Sequence, residues 1–408
     1  MKQSHQHQIT PLSPVDCIFV GPGSYPIEFA FFYDGPISKS RHGNALELAW
    51  QHLAQDCPIL KSQLTLLDGR YVFSCMDTSM PKPISWHKFD GSVHPKSHQT
   101  PFELMDPVTT TPGESLATLK ITEGDDGTTV GFSLSHALAD GFTYFMILNA
   151  LAAIMREVLA TGDVPKVSPI SMNHERLRLT TNFSLASHDV KNASRNLNLP
   201  GFTVSSPRRD IPRTSIRYAQ RHFTKSDLSA IYHDFSEAPK RLSTNDMICA
   251  ALWREFARDF DLGSTQTISL VAPVDFRRIY HEFPRNYAGN AVVLARVDLE
   301  RHRVVNGSLI EIAMLIRDAV SKVNENYVDR TIVHLMSDMG TDHYAGLGHV
   351  HIVDPDAGLL ITNLSRMSFA SLDFGTGAPS YCRPLTPCQR AIVLLSDGAD
   401  GIMAHIHF

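Results

Sequence analysis

The alternation of apolar and polar side chains is sharpest over residues 128–135, TTVGFSLS. Val130, Phe132 and Leu134 share one parity and Gly131, Ser133 and Ser135 the other, the period of a β-strand. His136 continues the apolar parity, so a strand persisting to it would turn the imidazole toward a covered face. Asp140-Gly141 then opens FTYFMILNALAAIMREVLA, whose length and composition predict a mostly buried helix. A strand over 116–123 joins the central one through Asp125-Asp126-Gly127, which predicts an antiparallel pair.

Upstream, IEFAFFY at 27–33 predicts a strand, and apolar positions over 44–55 recur at helical spacing. ILKSQLTLL and YVFSC flank Asp68-Gly69 as a hairpin. Residues 76–114, rich in Pro, Ser, Thr and His, read as loop. The second half restarts the pattern. TSIRYAQRHF, TISLVAPVDFRR, NAVVLARVDL, GLLITNLSR, AIVLLS and IMAHIH read as strands. Thr224 to Asp227 and Ser243 to Asp246 have the form of helix starts, and Leu309, Ile312, Ile316 and Val320 make one helical stripe. Strands and helices mix without regular alternation, which predicts an α/β fold of mixed sheets with helices on their faces. The expected organisation is an N-terminal domain over 1–165, a Pro-, Ser- and Asn-rich crossover over 166–213, and a C-terminal domain over 214–408.

Composition narrows the function. The 408 residues are 43% hydrophobic and 19% charged, and are too many for one ordinary core. A net charge of −5 with no basic stripe argues against nucleic acid. Cys17, Cys57, Cys75, Cys249, Cys382 and Cys388 are scattered, as free thiols in a reducing compartment would be. The start of the chain, MKQSHQHQITPLSP, has no apolar segment, and no run of about 18 uncharged apolar residues occurs. The expectation is a cytoplasmic protein with no signal peptide and no membrane span. The histidines lack zinc-site spacing such as His-Glu-x-x-His, so no metal is expected.

The chemistry concentrates at His136 and Asp140. With 20 histidines, chance gives roughly 1.4 His-x-x-x-Asp pairs, but only about 0.1 followed directly by glycine. His334 to Asp338 is a second pair, but it continues into Met339-Gly340 and has no clean strand before it. His136 suits a general base, because burial disfavours an imidazole's charged form. It also reads as a hydrogen-bonded core histidine, and Asp140 as a helix N-cap. Arg208, Arg209 and Arg213 are candidates for phosphate contacts, or a solvated loop cluster.

SHALADG resembles the His-x-x-x-Asp-Gly motif of the BAHD acyltransferases, within the chloramphenicol-acetyltransferase-like and condensation-domain superfamily. DFGTG at 373–377 resembles that family's Asp-Phe-Gly-Trp-Gly signature. LSPVD, STNDMICAALW, VDFRRIYHEFPRNYAGNAVV and ITNLSR resemble further family segments, in order along nearly the whole chain. The resemblance implies two similar chloramphenicol-acetyltransferase-like domains with a channel between them, a monomer, and acyl-CoA as co-substrate with no permanently bound cofactor. It implies that His136 deprotonates a hydroxyl or amine of a small specialised metabolite, which attacks the thioester. It assigns Asp140 to a supporting ion pair with Arg277, with Arg278 as rival partner. Thr362 would donate to the oxyanion, with Asn363 as a second candidate. Gly141, Asp373, Gly375 and Gly377 would be structural, with Asp373 a buried anchor and the glycines permitting a tight turn. Thr376 stands where the family usually has Trp, and the chain ends soon after this motif, which suggests a divergent, fungal-type member. The alternatives are the same fold turned to cyclisation, or a substrate-binding protein.

Overall fold

Residues 26–33, PIEFAFFY, are buried along their whole length and form the strand around which the first half of the fold is built. The computed structural model describes residues 7–408, apart from 77–79, 97–100, 177–198, 237, 260–262, 264, 281–282, 341–347 and 368. The chain divides into two units. The first comprises residues 1–182, 284–290 and 367–387, and the second 183–283, 291–366 and 388–408.

In the first unit a hairpin of β3 (Gln63–Leu67) and β4 (Arg70–Met76) turns at Asp68 and Gly69, both at positive φ, and β1 (His7–Pro11) adds to β4. The main sheet has five strands. β2 (Pro26–Tyr33) pairs antiparallel with β7 (Gly127–Ser135), which pairs antiparallel with β6 (Ala117–Gly124). β5 (Ser85–Lys88) lies parallel to β6 at one edge. At the other edge β14 (Tyr381–Pro384) pairs with β2. Residues 367–387 thereby join the first unit, although they lie within the expected C-terminal domain. Pairing over so long a separation leaves no trace in local periodicity.

β7 is covered on both faces, not one. Helices α1 (Lys39–Asp56) and α2 (Gly141–Thr161) supply the apolar layer. There Phe132 meets Trp50 and Tyr144, and the Tyr144 hydroxyl donates to the Phe132 carbonyl at 2.7 Å. The opposite face, which carries the polar parity, is roofed by the backbone at Val93, Leu104 and Val108. The Ser133 hydroxyl accepts from the Val108 amide at 3.0 Å and donates to Glu28 at 2.8 Å, and Thr129 donates to the Val93 carbonyl at 2.6 Å. The stretch predicted as loop over 76–114 therefore supplies an edge strand, β5, and, at Val93, Leu104 and Val108, a cover for the sheet's polar face. By length and composition α2 could cross a membrane, but most of its apolar window is buried inside the protein, as in a core helix.

The second unit holds a six-stranded mixed sheet in the order β11 (Val292–Glu300), β10 (Thr267–Asp275), β13 (Gly358–Asn363), β15 (Ala391–Ser396), β16 (Ile402–His407), β9 (Tyr218–Phe223). β13 runs parallel to both neighbours, and the remaining pairs are antiparallel. β8 (Thr203–Val204) and β12 (Val350–His351) make a separate two-stranded ribbon. Among the described residues, the helices of this unit are α3 (Lys225–Asp234), α4 (Thr244–Asp259), α5 (Arg301–Asn306), α6 (Leu309–Ser321) and α7 (Glu325–Gly340). α3 opens on the capping box expected from Thr224 and Asp227. Trp253 of α4 and Ile312 and Ile316 of α6 share a core with Leu359 and Ile361 of β13 and Leu394 of β15. α7, which contains His334 of the second His-x-x-x-Asp pair, was not expected; the side chain of Asp338 lies outside the described residues. None of the six cysteines forms a disulfide.

Candidate functional site

β7 ends at Ser135, and the chain turns through residues 136–139 before α2 begins. His136 is the first residue of that turn. Its ring lies flat on Phe19, with centroids 3.6 Å apart and planes at 5°, and Tyr25 meets it edge-on at 5.8 Å. Nδ1 is buried and makes no hydrogen bond, although the residue as a whole keeps some exposure. Enclosure of the ring pushes its pKa down to about 4. Its own backbone, Asp140, Asn290 and Asp16 act in the opposite direction and are outweighed. The imidazole is therefore neutral near pH 7, the form in which a histidine accepts a proton.

Asp140 is buried and caps α2, its Oδ1 accepting from the Thr143 amide at 2.9 Å. Gly141 is the first residue of the helix. The Thr143 hydroxyl donates to the Gly289 carbonyl at 2.9 Å and accepts from the Gly289 amide at 3.1 Å. At the other end of the turn, the carbonyls of His136 and Leu138 accept from Asn290 and Arg176. Asp16 and Asn290 lie in stretches quoted for their family likeness, LSPVD and the segment containing NYAGN, but neither was assigned a role. Arg176 lay in the presumed crossover. Phe19 and Tyr25 carried no signal of their own.

Asp373 also belongs to the first unit. It is half-buried, not fully so, and its Oδ1 accepts from the amides of Gly375 at 2.7 Å and Gly377 at 2.9 Å. Both glycines have positive φ, which explains the two glycines of this turn. Thr376 faces Gly35, the loop residue after β2, where an added Cβ would stand 3.2 Å from the Thr376 Cβ.

In the second unit Thr362 and Asn363 are neighbours on β13 and so point to opposite faces. Ile361, sharing Asn363's parity, enters the helix-packed core. The Asn363 amide is committed: Nδ2 donates to Asn245 at 2.7 Å, and Oδ1 accepts from the Ser365 amide at 2.9 Å and hydroxyl at 2.7 Å. It therefore does not stand beside Thr362 as a second donor, as the sequence suggested. Strand alternation, already legible in the sequence, separates the two. Asn363 instead lines a cleft of about 710 Å³ together with Ser243, Asn245, Arg241, Arg317 and Arg366. Arg241 and Arg366 are exposed, while Arg317 is paired with Asp246. The cleft opens at the start of α4, a helix end that favours anions.

Arg277 is buried in a short 3-10 turn, and its Nη1 lies 3.1 Å from the Asp275 carboxylate; Arg278 is exposed. Arg208 is half-buried, with its amide donating to the Gly348 carbonyl at 2.7 Å, Arg209 is exposed and Arg213 half-buried; none of the three lines the cleft. Among the described residues, no group of three or more His, Cys, Asp or Glu is gathered as metal ligands would be.

A sequence model described as "Transferase family" matches residues 100–408. Anthranilate N-benzoyltransferase protein 1 of Dianthus caryophyllus is 26% identical over 265 residues, covering 62% of this chain and 55% of that protein. Putrescine hydroxycinnamoyltransferase 1 of Oryza sativa subsp. japonica is 25% identical over 281 residues, covering 67% and 61%. The chain thus matches little more than half the length of these relatives. Among solved structures, F. graminearum TRI101 complexed with coenzyme A and deoxynivalenol superposes with a TM-score of 0.74 at 13% identity, over 98% of this chain and 95% of that one. Vinorine synthase gives 0.70 at 18%, over 100% and 91%. At these identities the likeness is one of fold.

Proposed function

The chain belongs to the Transferase family, that of the BAHD acyltransferases, and from that premise we propose that it transfers an acyl group from acyl-CoA to a hydroxyl or amine of a small specialised metabolite. The observation that carries the reading is His136: a neutral imidazole, stacked on Phe19 and met edge-on by Tyr25, at the end of the central strand. With Nδ1 enclosed, Nε2 is the nitrogen assigned to the substrate. It takes the acceptor's proton as the acceptor oxygen or nitrogen bonds to the thioester carbonyl carbon. The tetrahedral intermediate then collapses, the carbon–sulfur bond breaks, and the leaving thiolate takes the proton from the imidazolium. General-base help of this kind is worth about 10²–10⁴-fold, roughly 3–5 kcal/mol of barrier.

The other roles follow from the family resemblance. Thr362 is the proposed donor to the oxyanion, where a fixed hydroxyl offsets developing charge. Asp140 supports the catalytic turn through its cap on α2 and through the ion pair proposed with Arg277, whose burial favours it over the exposed Arg278. The cleft at the start of α4 is our candidate for the phosphates of CoA. Its volume suits a ligand site, and Arg241 and Arg366 supply positive charge.

The test is thiol release from a panel of acyl-CoAs by wild-type and His136→Ala protein, with and without a mixture of alcohols and amines. Acceptor-dependent release, reduced at least about 100-fold in the variant, is expected. Full turnover by His136→Ala would overturn the mechanism. Absence of release, with no acyl-CoA binding by calorimetry, would favour the cyclase or binding alternative.

A further inference from the structure

We propose that Asp16, Arg176 and Asn290 are positioning residues for the reaction: a buried polar triad that grips the backbone of the catalytic turn and fixes the aim of the His136 ring. The proposal rests on the reading of His136 as the base.

The three come from distant segments and meet inside the first unit, each buried. The Asp16 carboxylate is the hub. Its Oδ2 accepts from Arg176 Nη1 at 2.6 Å and from the Ser13 amide at 2.8 Å, and its Oδ1 accepts from Asn290 Nδ2 at 2.8 Å. The other contacts of Arg176 and Asn290 reach the turn. Asn290 Nδ2 also donates to the His136 carbonyl at 2.8 Å and the Ala137 carbonyl at 3.4 Å. Arg176 Nη2 donates to the Leu138 carbonyl at 2.5 Å and the Ala288 carbonyl at 3.3 Å. Three consecutive carbonyls, starting at the catalytic residue, are thus tied through two side chains to one carboxylate.

The same carboxylate anchors the surface beneath the ring. Asp16 begins the 3-10 turn Asp16–Phe19, and Phe19 ends it, stacked on His136. Backbone and ring of the proposed base are therefore referenced to one buried point. Energetics also favour a directional role. Burying an ion pair costs about as much as its Coulombic attraction returns, and apolar replacements of similar volume are often neutral. What such a pair supplies here is geometry, and a misplacement of about 1 Å can cost roughly 10²-fold in rate.

The test compares Asn290→Ala and the charge-balanced double variant Asp16→Asn/Arg176→Met with wild type in the full-length protein. The double variant leaves no unpaired buried charge, so a folded product is expected. For each, kcat, KM for acyl-CoA and thermal midpoint are measured. The expected result is a fall in kcat of about 10–100-fold with an unchanged acyl-CoA KM. Unchanged kcat in both variants overturns the proposal, as does a loss that merely follows the thermal midpoint. If wild-type protein shows no acceptor-dependent CoA release, the function reading fails separately. The triad is then judged by NMR of the His136 ring, assigned by its disappearance in His136→Ala: ring-proton shifts, displaced by the stacked Phe19 ring, that stay unmoved in Asn290→Ala overturn it, and shifts that move toward those of an unstacked histidine support it.

Discussion

For an imidazole that must accept a proton, the stacked face matters more than any hydrogen bond. Phe19 keeps water from one side of the His136 ring, and its enclosure sets a pKa of about 4. The acid limb of kcat/KM should therefore fall well below the ordinary histidine value of about 6.5. Phe19→Leu, which opens that face, should move the limb upward toward 6.5; a limb unmoved by this change would assign the shift to other neighbours. The same depression fixes the sign of a stability effect. The unfolded chain binds a proton near 6.5 and the folded one only near 4, so stability is full above 6.5 and is lost as pH falls through that window. His136→Leu should lose less of its thermal midpoint between pH 6.5 and pH 4.5 than wild type does. At this scale the sequence marked His136 and the capping Asp140, because a strand parity and a helix start are local patterns. It could not mark Phe19, Arg176 or Asn290, whose contacts with the turn are made across the fold.

β7 displays the same division between local and remote information. Its alternation predicted the strand, its pairing with β6 and the helix that follows. The polar parity gave no sign of what covers it: Gly131, Ser133 and Thr129 meet the backbone at Leu104, Val108 and Val93. Those side chains are polar because the layer above them is loop backbone, whose groups need partners. Gly131 is small for the same reason. A Cβ there would stand 2.1 Å from the Leu104 carbonyl oxygen, a backbone atom that cannot swing aside. Gly131→Ala should cost about 1–3 kcal/mol, the usual penalty of overpacking, read as a lower midpoint in thermal unfolding. Gly263→Ala is the control, since nothing lies within 4 Å of its added Cβ. Equal midpoints for the two variants would mean that the backbone at Leu104 yields easily. The strand rule also separates Thr362 from Asn363, and here the sequence held the answer: adjacent strand residues cannot serve one oxyanion from the same face.

Across the whole molecule, the two-unit α/β fold was legible through motifs far apart in the chain, but the assignment of segments to units was not. The strand after the second signature pairs with β2, so Asp373 and its glycine turn belong with His136's unit. The cleft was equally hidden. Ser243-to-Asp246 was visible only as a helix start, and Arg241, Arg317 and Arg366 are scattered in sequence. The sequence drew attention instead to Arg208, Arg209 and Arg213, which cluster in the chain but do not line the cleft. A protein with net charge −5 gains little general attraction for an anionic co-substrate, so CoA needs a local concentration of positive charge. Within the cleft Arg317 is held by Asp246, and Asp400 is neutralised by Lys225. Arg241 and Arg366, both exposed, are then the cations best able to meet phosphate. A charge-assisted contact worth about 1.5 kcal/mol corresponds to roughly tenfold in affinity. Arg366→Ala and Arg241→Ala should each raise the acyl-CoA KM about tenfold while leaving the acceptor KM unchanged, and the effect should shrink with an acyl-pantetheine donor that lacks the nucleotide. Initial rates with both donors would decide the matter. If Arg208→Ala or Arg213→Ala raised the acyl-CoA KM and the cleft variants did not, the sequence cluster would be the phosphate site and the cleft would need another occupant.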